Sequence, residues 1–214
     1  MLTGKIALIT GAKGGLGTAV TRAFLDAGAS VMGVSRSISA GDFPHENFTA
    51  IAADLTRPDA AHNLVAVYSR IDILVHVMGG FAGGQPVEET SLDTLEQMLT
   101  MNFRAAFYVA RAVIPIMRRQ QSGRILTVAS RQGVEPAANI SAYNASKAAL
   151  VSLTQTMALE LKGTGITANT VLPGTMGVGP NLVDPAQVAA LLVHLAGDNA
   201  AAITGAAIPV YGSH

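Results

Sequence analysis

The chain has 214 residues, half of them apolar and only 13% charged, which excludes a disordered polymer and supplies enough length for a full buried core. Fourteen basic residues balance fourteen acidic ones, so no electrostatic case exists for binding nucleic acid or an anionic membrane. Cysteine is absent, which rules out disulfides and thiolate metal sites.

Short runs of β-branched and apolar residues alternate with longer helical patterns. "KIALIT" (Lys5 to Thr10), "SVMGV" (Ser30 to Val34), "FTAIAA" (Phe48 to Ala53) and "DILVHV" (Asp72 to Val77) read as buried parallel strands. So do "RILTVAS" (Arg124 to Ser130), "ITANTVL" (Ile166 to Leu172) and "AAIPVY" (Ala206 to Tyr211). Helical patterns cover Leu16 to Ala27, Ser91 to Gln120, Ala142 to Leu161 and Pro185 to Ala196, the last opened by an Asp184 cap and a first-turn proline. The stretch from Arg36 to Asn47 is loop-like. Strand and helix taking turns implies a mostly parallel seven-stranded sheet with helices on both faces, in one doubly wound α/β domain over residues 1–214. No apolar run approaches the ~18 residues of a membrane helix. The first strand begins almost at once, with no room for a signal core. The expected protein is soluble and cytoplasmic, and its low charge and abundant Ala, Val and Leu point to self-association.

Directly after the first strand, "TGAKGGLGTAV" places Gly11, Gly15 and Gly17 ahead of an apolar helix. A tight glycine turn lets backbone N–H groups approach a pyrophosphate, and the helix N-terminus adds partial positive charge. Gly11, Lys13, Gly15, Leu16 and Gly17 are therefore candidate cofactor contacts, against the alternative of a turn used only for chain reversal. Where the second strand ends, Ser35 and Arg36 stand in place of an acid. A hydroxyl and a guanidinium suit a ribose phosphate, so the expected cofactor is NADP, with Lys13 as a second cation. An ordinary loop arginine is the alternative for Arg36. Asp54, beside Leu55, can accept a hydrogen bond from adenine or can cap the segment that follows.

In "SAYNASKAAL" (Ser141 to Leu150), Tyr143 and Lys147 lie one helical turn apart and share a face. A surface tyrosine beside a solvated lysine is the plain alternative. The chemical reading is a phenol acidified by an ammonium. At roughly 4 Å and an effective dielectric of about 20, one unit charge favours the phenolate by about 4 kcal/mol, or about 3 pKa units. A tyrosine brought near neutrality can donate and recover a proton.

Taken in order and spacing, Thr10-Gly11-x-x-x-Gly15-Leu16-Gly17, the parallel α/β pattern and Tyr143-x-x-x-Lys147 resemble the short-chain dehydrogenase/reductase family. The likeness runs from Gly4-Lys5 to the closing "ITGAAIPVYG". It implies a Rossmann fold and adds two residues: Ser130 of "TVASRQG", thirteen residues before Tyr143, and Asn102 of "LTMNFRAAF". By this resemblance Tyr143 gives its proton to a carbonyl oxygen as hydride arrives from the nicotinamide, and Ser130 bonds the same oxygen. Lys147 lowers the tyrosine pKa and holds the nicotinamide ribose, while Asn102 positions a relay water. Gly79, Pro173 and Gly174 are further implied cofactor contacts. The resemblance also implies a dimer or tetramer built on the helices 91–120 and 142–161. There Ala145, Ala148, Ala149 and Ser152 offer a small-residue face, which could instead pack on the sheet.

Two stretches depart from the family pattern. His76, Val77 and Met78 replace an Asn-Asn-Ala run before Gly79, and His76 reads as a packed strand histidine rather than a base. The following "GGFAGG" resembles dihydropteridine reductases of the same superfamily, which is an alternative reading. After the sixth strand, "LPGTMGVGPNLVDPAQ" runs almost directly into the last helix, where relatives insert a substrate loop. Val178 also takes the place of a common threonine. An open site follows, unless Phe81 or a neighbouring subunit covers it. Phe81, Arg131, Gln132, Gly133, Pro136 and Met176 are the expected pocket residues, with Arg131 a candidate for meeting an acidic substrate. The reading is an NADP-dependent carbonyl reductase or alcohol dehydrogenase acting on a small molecule. Its rival from a different class is a nucleotide sensor that kept the fold and lost turnover.

Overall fold

Runs of apolar residues buried on both faces pair only side by side in a parallel sheet. The computed structural model, which describes residues 2–212, has seven strands, the inner five buried along most of their length and the edge strands β3 and β7 only in part: β1 (Ile6–Thr10), β2 (Ser30–Ser35), β3 (Phe48–Ala52), β4 (Ile73–His76), β5 (Gly123–Val128), β6 (Ile166–Pro173) and β7 (Ala207–Val210). Their order is β3-β2-β1-β4-β5-β6-β7, and every neighbouring pair is parallel. The order reverses between β1 and β4, where an open α/β sheet leaves a crevice at its carboxyl ends.

Six α-helices cover the sheet: α1 (Gly15–Asp26), α2 (Pro58–Ala66), α3 (Leu92–Leu99), α4 (Ala105–Gln120), α5 (Ser141–Glu160) and α6 (Pro185–Ala196). Helix α1 buries Leu16, Val20 and Phe24 at helical spacing, and α6 adds Val188, Leu192 and Leu195, packing together with Ile9, Val75 and Leu126 of the sheet. Helices α2, α4 and α5 cover the opposite face, against Leu8, Leu74 and Ile125. Asp184 caps α6 through the Ala186 N–H at 2.8 Å, with Pro185 in the first turn as its sequence predicts. Among the described residues no helix is long and apolar enough to cross a membrane.

Two differences from the sequence-based expectations have physical causes. Helix α2 is not signalled by its sequence, because it is short and three of its residues are only alanine, yet Ala61, Leu64 and Val65 reach the core. The stretch from Ser91 to Gln120 is two helices joined by a π-helical turn, Thr100–Arg104. There Arg104 ties the widened turn to Thr100 Oγ1 at 3.0 Å and Glu96 at 2.6 Å. As the short stretch after the sixth strand implies, the described residues form no helical lid between β6 and α6, only a tight excursion closed by a bridge between Met176 and Val183. The small residues Ala145, Ala148 and Ser152 on α5 face solvent and do not pack on the sheet.

Gly11 turns with φ +69°, and a Cβ on it would stand 2.8 Å from the Met78 backbone. A Cβ on Gly17 would run into the Gly11 carbonyl oxygen, whereas one on Gly15 would meet nothing within 4 Å. Gly17→Ala is therefore expected to cost about 3 kcal/mol in urea denaturation, and Gly15→Ala less than about 0.5 kcal/mol.

Candidate active site

The crevice at the ends of β1 and β4 is a cleft of about 840 Å³. At one end lies the glycine turn. Gly14 caps α1 with extended backbone and no side-chain cap, and the first turn carries no acid. The N–H groups of Gly15, Leu16 and Gly17, all lining the cleft, are thus among those a helix cannot satisfy internally. Open space beside Gly15 and unfilled donors around it fit a pyrophosphate.

Ser35, Arg36, Asp54 and Leu55 line the same end. Arg36 is exposed and makes no ion pair among the described residues. Lys13 differs from the sequence-based expectation: its ammonium is held by Asp42 at 2.8 Å and by the Ser37 carbonyl at 2.9 Å. The same pairing keeps Asp42 below the usual carboxylate range. Asp54 is a local cap, accepting from Thr56 Oγ1 at 2.7 Å and Thr56 N at 3.1 Å. The Thr56 hydroxyl is the main cause of its lowered pKa.

At the other end α5 carries Tyr143 and Lys147 to the mouth of the cleft, next to Ser130 at the end of β5. Lys147 is buried, its Nζ donating to the Val128 carbonyl at 3.0 Å, and burial pushes its pKa down to about 8. The phenol is not acidified as the helical spacing suggested. Lys147 Nζ stands 5.9 Å from the Tyr143 ring centre, and burial raises the tyrosine pKa, offset in part by the Ser130 hydroxyl.

Asn102 is completely buried in the π turn. Its Oδ1 accepts the Gly80 N–H at 2.9 Å, while Nδ2 donates to the Gly80 carbonyl and to Ser146 Oγ, each at 3.0 Å. The side chain thereby pins the loop after β4 to α5. Gly79 must be glycine there, since a Cβ would stand 2.7 Å from Asn102 Oδ1 and 3.3 Å from Lys147 Nζ. His76 is a packed strand histidine, its Nδ1 3.0 Å from Thr10 Oγ1. Burial, helped by the Lys147 charge, holds its pKa down to about 3, so it stays neutral.

Of the expected pocket residues, Phe81 and Met176 line the cleft, and Phe81 meets Tyr143 edge-on with ring centres 5.0 Å apart. Arg131 does not wait for an acidic substrate. It pairs with Glu135 at 2.7 Å and stacks on Tyr211 at 4.8 Å. Gly133 packs beneath α5, where a Cβ would lie 3.0 Å from the Lys147 backbone. Pro136 is exposed and outside the cleft. Gln132 instead holds the catalytic candidate Ser130, whose Oγ donates to Gln132 Oε1 at 2.6 Å. Pro173 and Gly174 also stand outside the cleft, because Gly174 N–H continues the β6–β7 pairing to Val210 at 2.9 Å. Gln97, Met101 and Val128 also line the cleft, and the sequence pattern did not single them out. Only a helical period placing Gln97 and Met101 on one face could have signalled any of them.

The family model for short chain dehydrogenases matches residues 5–183. The chain belongs to the short-chain dehydrogenase family of oxidoreductases. An uncharacterized oxidoreductase, YxjF of Bacillus subtilis, is 38% identical over 182 residues, covering 79% of this chain and 70% of its own. The 3-oxoacyl-[acyl-carrier-protein] reductase FabG of Vibrio cholerae is 31% identical over 241 residues, covering 99% of this chain and 97% of its own. Among solved structures, a 3-ketoacyl-(acyl-carrier-protein) reductase from Brucella melitensis, complexed with NADH, superposes with a TM-score of 0.88 at 26% identity. It covers 98% of both chains.

The buried ammonium makes stability depend on pH. Between about pH 8 and 10.5 the unfolded chain binds a proton on Lys147 that the folded protein does not, so stability rises with pH there by about 1.4 kcal/mol per unit. Lys147→Met should remove that slope. Net of the lost bond to Val128, it should also stabilise the cofactor-free protein at pH 7 by about 2 kcal/mol, both read by denaturant titration across pH.

Proposed function

We propose that the chain is an NADPH-dependent carbonyl reductase, able to run in reverse as an alcohol dehydrogenase. One observation carries this reading: a single cleft has unfilled helix N–H groups at one end and Tyr143 and Lys147 at the other, with Ser130 next to Tyr143 behind its wall. The bound cofactor supplies the hydride. Gly15, Leu16 and Gly17 hold its pyrophosphate by their N–H groups, and Asp54 and Leu55 border the adenine. Arg36 and Ser35 hold the ribose phosphate, since Arg36 is the cation in this region whose charge is not already matched. Lys147 binds the nicotinamide ribose hydroxyls. Tyr143 is the general acid. Its raised pKa keeps the proton on the phenol at neutral pH, which is the state that protonates a carbonyl oxygen and favours reduction. Ser130 donates to the same oxygen and stabilises the charge that grows there.

The pairing of Lys13 with Asp42 favours a second reading, use of NADH, because a carboxylate beside the ribose opposes a phosphate. Self-association through α4 and α5 also follows: Phe107, Ala145, Ala148 and Ser152 form an exposed face of small and aromatic side chains.

Turnover is tested by following NADPH and NADH oxidation with ketones, 3-oxoacyl thioesters and quinones. Tyr143→Phe should lower kcat/KM by about 10³-fold with cofactor binding retained, and undiminished activity in this variant would remove the assignment. Arg36→Ala should weaken NADPH binding about 10- to 100-fold and leave NADH nearly unchanged. Equal losses for both cofactors would move the NADH reading ahead.

A further inference from the structure

A hydroxyl carries one proton and can point it in one direction at a time. In this protein the Ser130 proton points away from the position a substrate carbonyl takes beside Tyr143. It is given to Gln132 Oε1 at 2.6 Å, while the Gln132 backbone N–H approaches Ser130 Oγ at 3.4 Å. With that proton committed, Ser130 has only lone pairs left to offer a second partner. For Ser130 to stabilise a carbonyl oxygen, the polarity of this bond must reverse. A primary amide can reverse it without leaving its place, because turning the side-chain amide over presents two N–H donors where an acceptor stood.

We propose that the Gln132 side-chain amide sets which way Ser130 points its proton, accepting from the hydroxyl at rest and donating to it when a carbonyl substrate is bound. Gln132 is thus a positioning residue acting through Ser130. The proposal rests on reading Tyr143 and Ser130 as the pair that meets the carbonyl oxygen. Its surroundings suit this role, for Gln132 lies in a short turn, Arg131–Gly133, packed against α5, and is half-buried rather than free. The charged and titratable groups around that turn are already matched or held by burial. Arg131 is paired with Glu135 and stacked on Tyr211, and Lys147 is bonded to Val128. None of them accepts the Ser130 proton in place of the amide.

Two substitutions separate direction from mere support. Gln132→Glu keeps the shape and offers only lone pairs at neutral pH, locking Ser130 in its resting direction. Gln132→Leu removes the acceptor and frees the hydroxyl. Ultraviolet titration of the Tyr143 phenol in the cofactor-free protein, with Tyr143→Phe subtracted, reads the resting chain without any turnover. It should ionise roughly one pH unit lower in Gln132→Leu, where Ser130 can donate to the phenolate, and higher in Gln132→Glu. In carbonyl reduction, Gln132→Glu should lower kcat by about 10-fold or more and recover as the pH falls and the new carboxyl regains a proton, whereas Gln132→Leu should lose only a few-fold. Identical phenol titrations in all three proteins would overturn the proposal whatever the turnover. So would equal kcat losses in Glu and Leu variants that show no acid recovery. A wild-type protein that binds NADPH but reduces no carbonyl, with the phenol shifts present, would sink the reductase reading and leave the proton orientation standing.

Discussion

The chemical end of the cleft depends on one buried amide. Asn102 sits in the π turn that separates α3 from α4, and it takes both hydrogen-bonding groups of Gly80 while donating to Ser146. Ser146 passes the connection on by donating to the Tyr143 carbonyl at 2.8 Å, so the loop after β4, the α3–α4 corner and the start of α5 are fixed against one another. A buried amide with every group satisfied rigidifies its surroundings, and a half-satisfied one would cost more than an apolar residue. The widened turn is the backbone's accommodation to that side chain. Removing a regular helical turn is tolerable because Arg104 re-ties it on the outside to Thr100 and Glu96.

This rigidity lets the site hold groups that folding disfavours. Lys147 has only a carbonyl partner in its buried position, and its ammonium sits in the same sheet end as the neutral His76 ring. His76 Nε2 is buried without a partner among the described residues. Each is a charge or donor that a stability-driven core would replace with carbon. Strain of this kind concentrates where binding or chemistry will later relieve it. A cofactor ribose beside Lys147 would give the ammonium the hydroxyl partners that the protein alone withholds.

The fold was legible because parallel strands carry their burial on both faces, and seven such runs could be read in chain order with ends correct to a residue or two. The glycine turn and the Tyr143–Lys147 pair were legible because spacing along a strand or helix translates directly into position. What the residue pattern could not carry was direction. The Val128 carbonyl that takes Lys147, and the Gln132 amide that takes the Ser130 proton, are set by tertiary geometry. Lys13 looked like a free cation because Asp42 is remote along the chain and meets it only through the turn after β2. Pro173 and Gly174 follow family spacing, and here they extend the β6–β7 ladder. Helix α2 escaped because a nine-residue segment gives periodicity little to work with.

The short crossing from β6 to α6 shifts the burden of selection to the floor of the site. With Val178 92% exposed and Met176 45% exposed, that crossing does not cover the cleft. Exclusion of water must then come from side chains already in place. Phe81 stands edge-on against Tyr143 while leaving most of its own surface open, and Met101 packs close behind Gly80. The loop that carries Phe81 is held at its far end by Gly84 N–H donating to the Asn139 carbonyl at 2.7 Å, and Gly83 has no room for a side chain against Ile140. A wall built this way is preformed rather than induced, so its entropy of ordering is met during folding and not at substrate binding. Its cost is selectivity by enclosure. In the proposed reductase, discrimination falls to the few polar groups that would meet the reacting oxygen, and among those the direction of the Ser130 proton is the one we propose the surrounding residues can change.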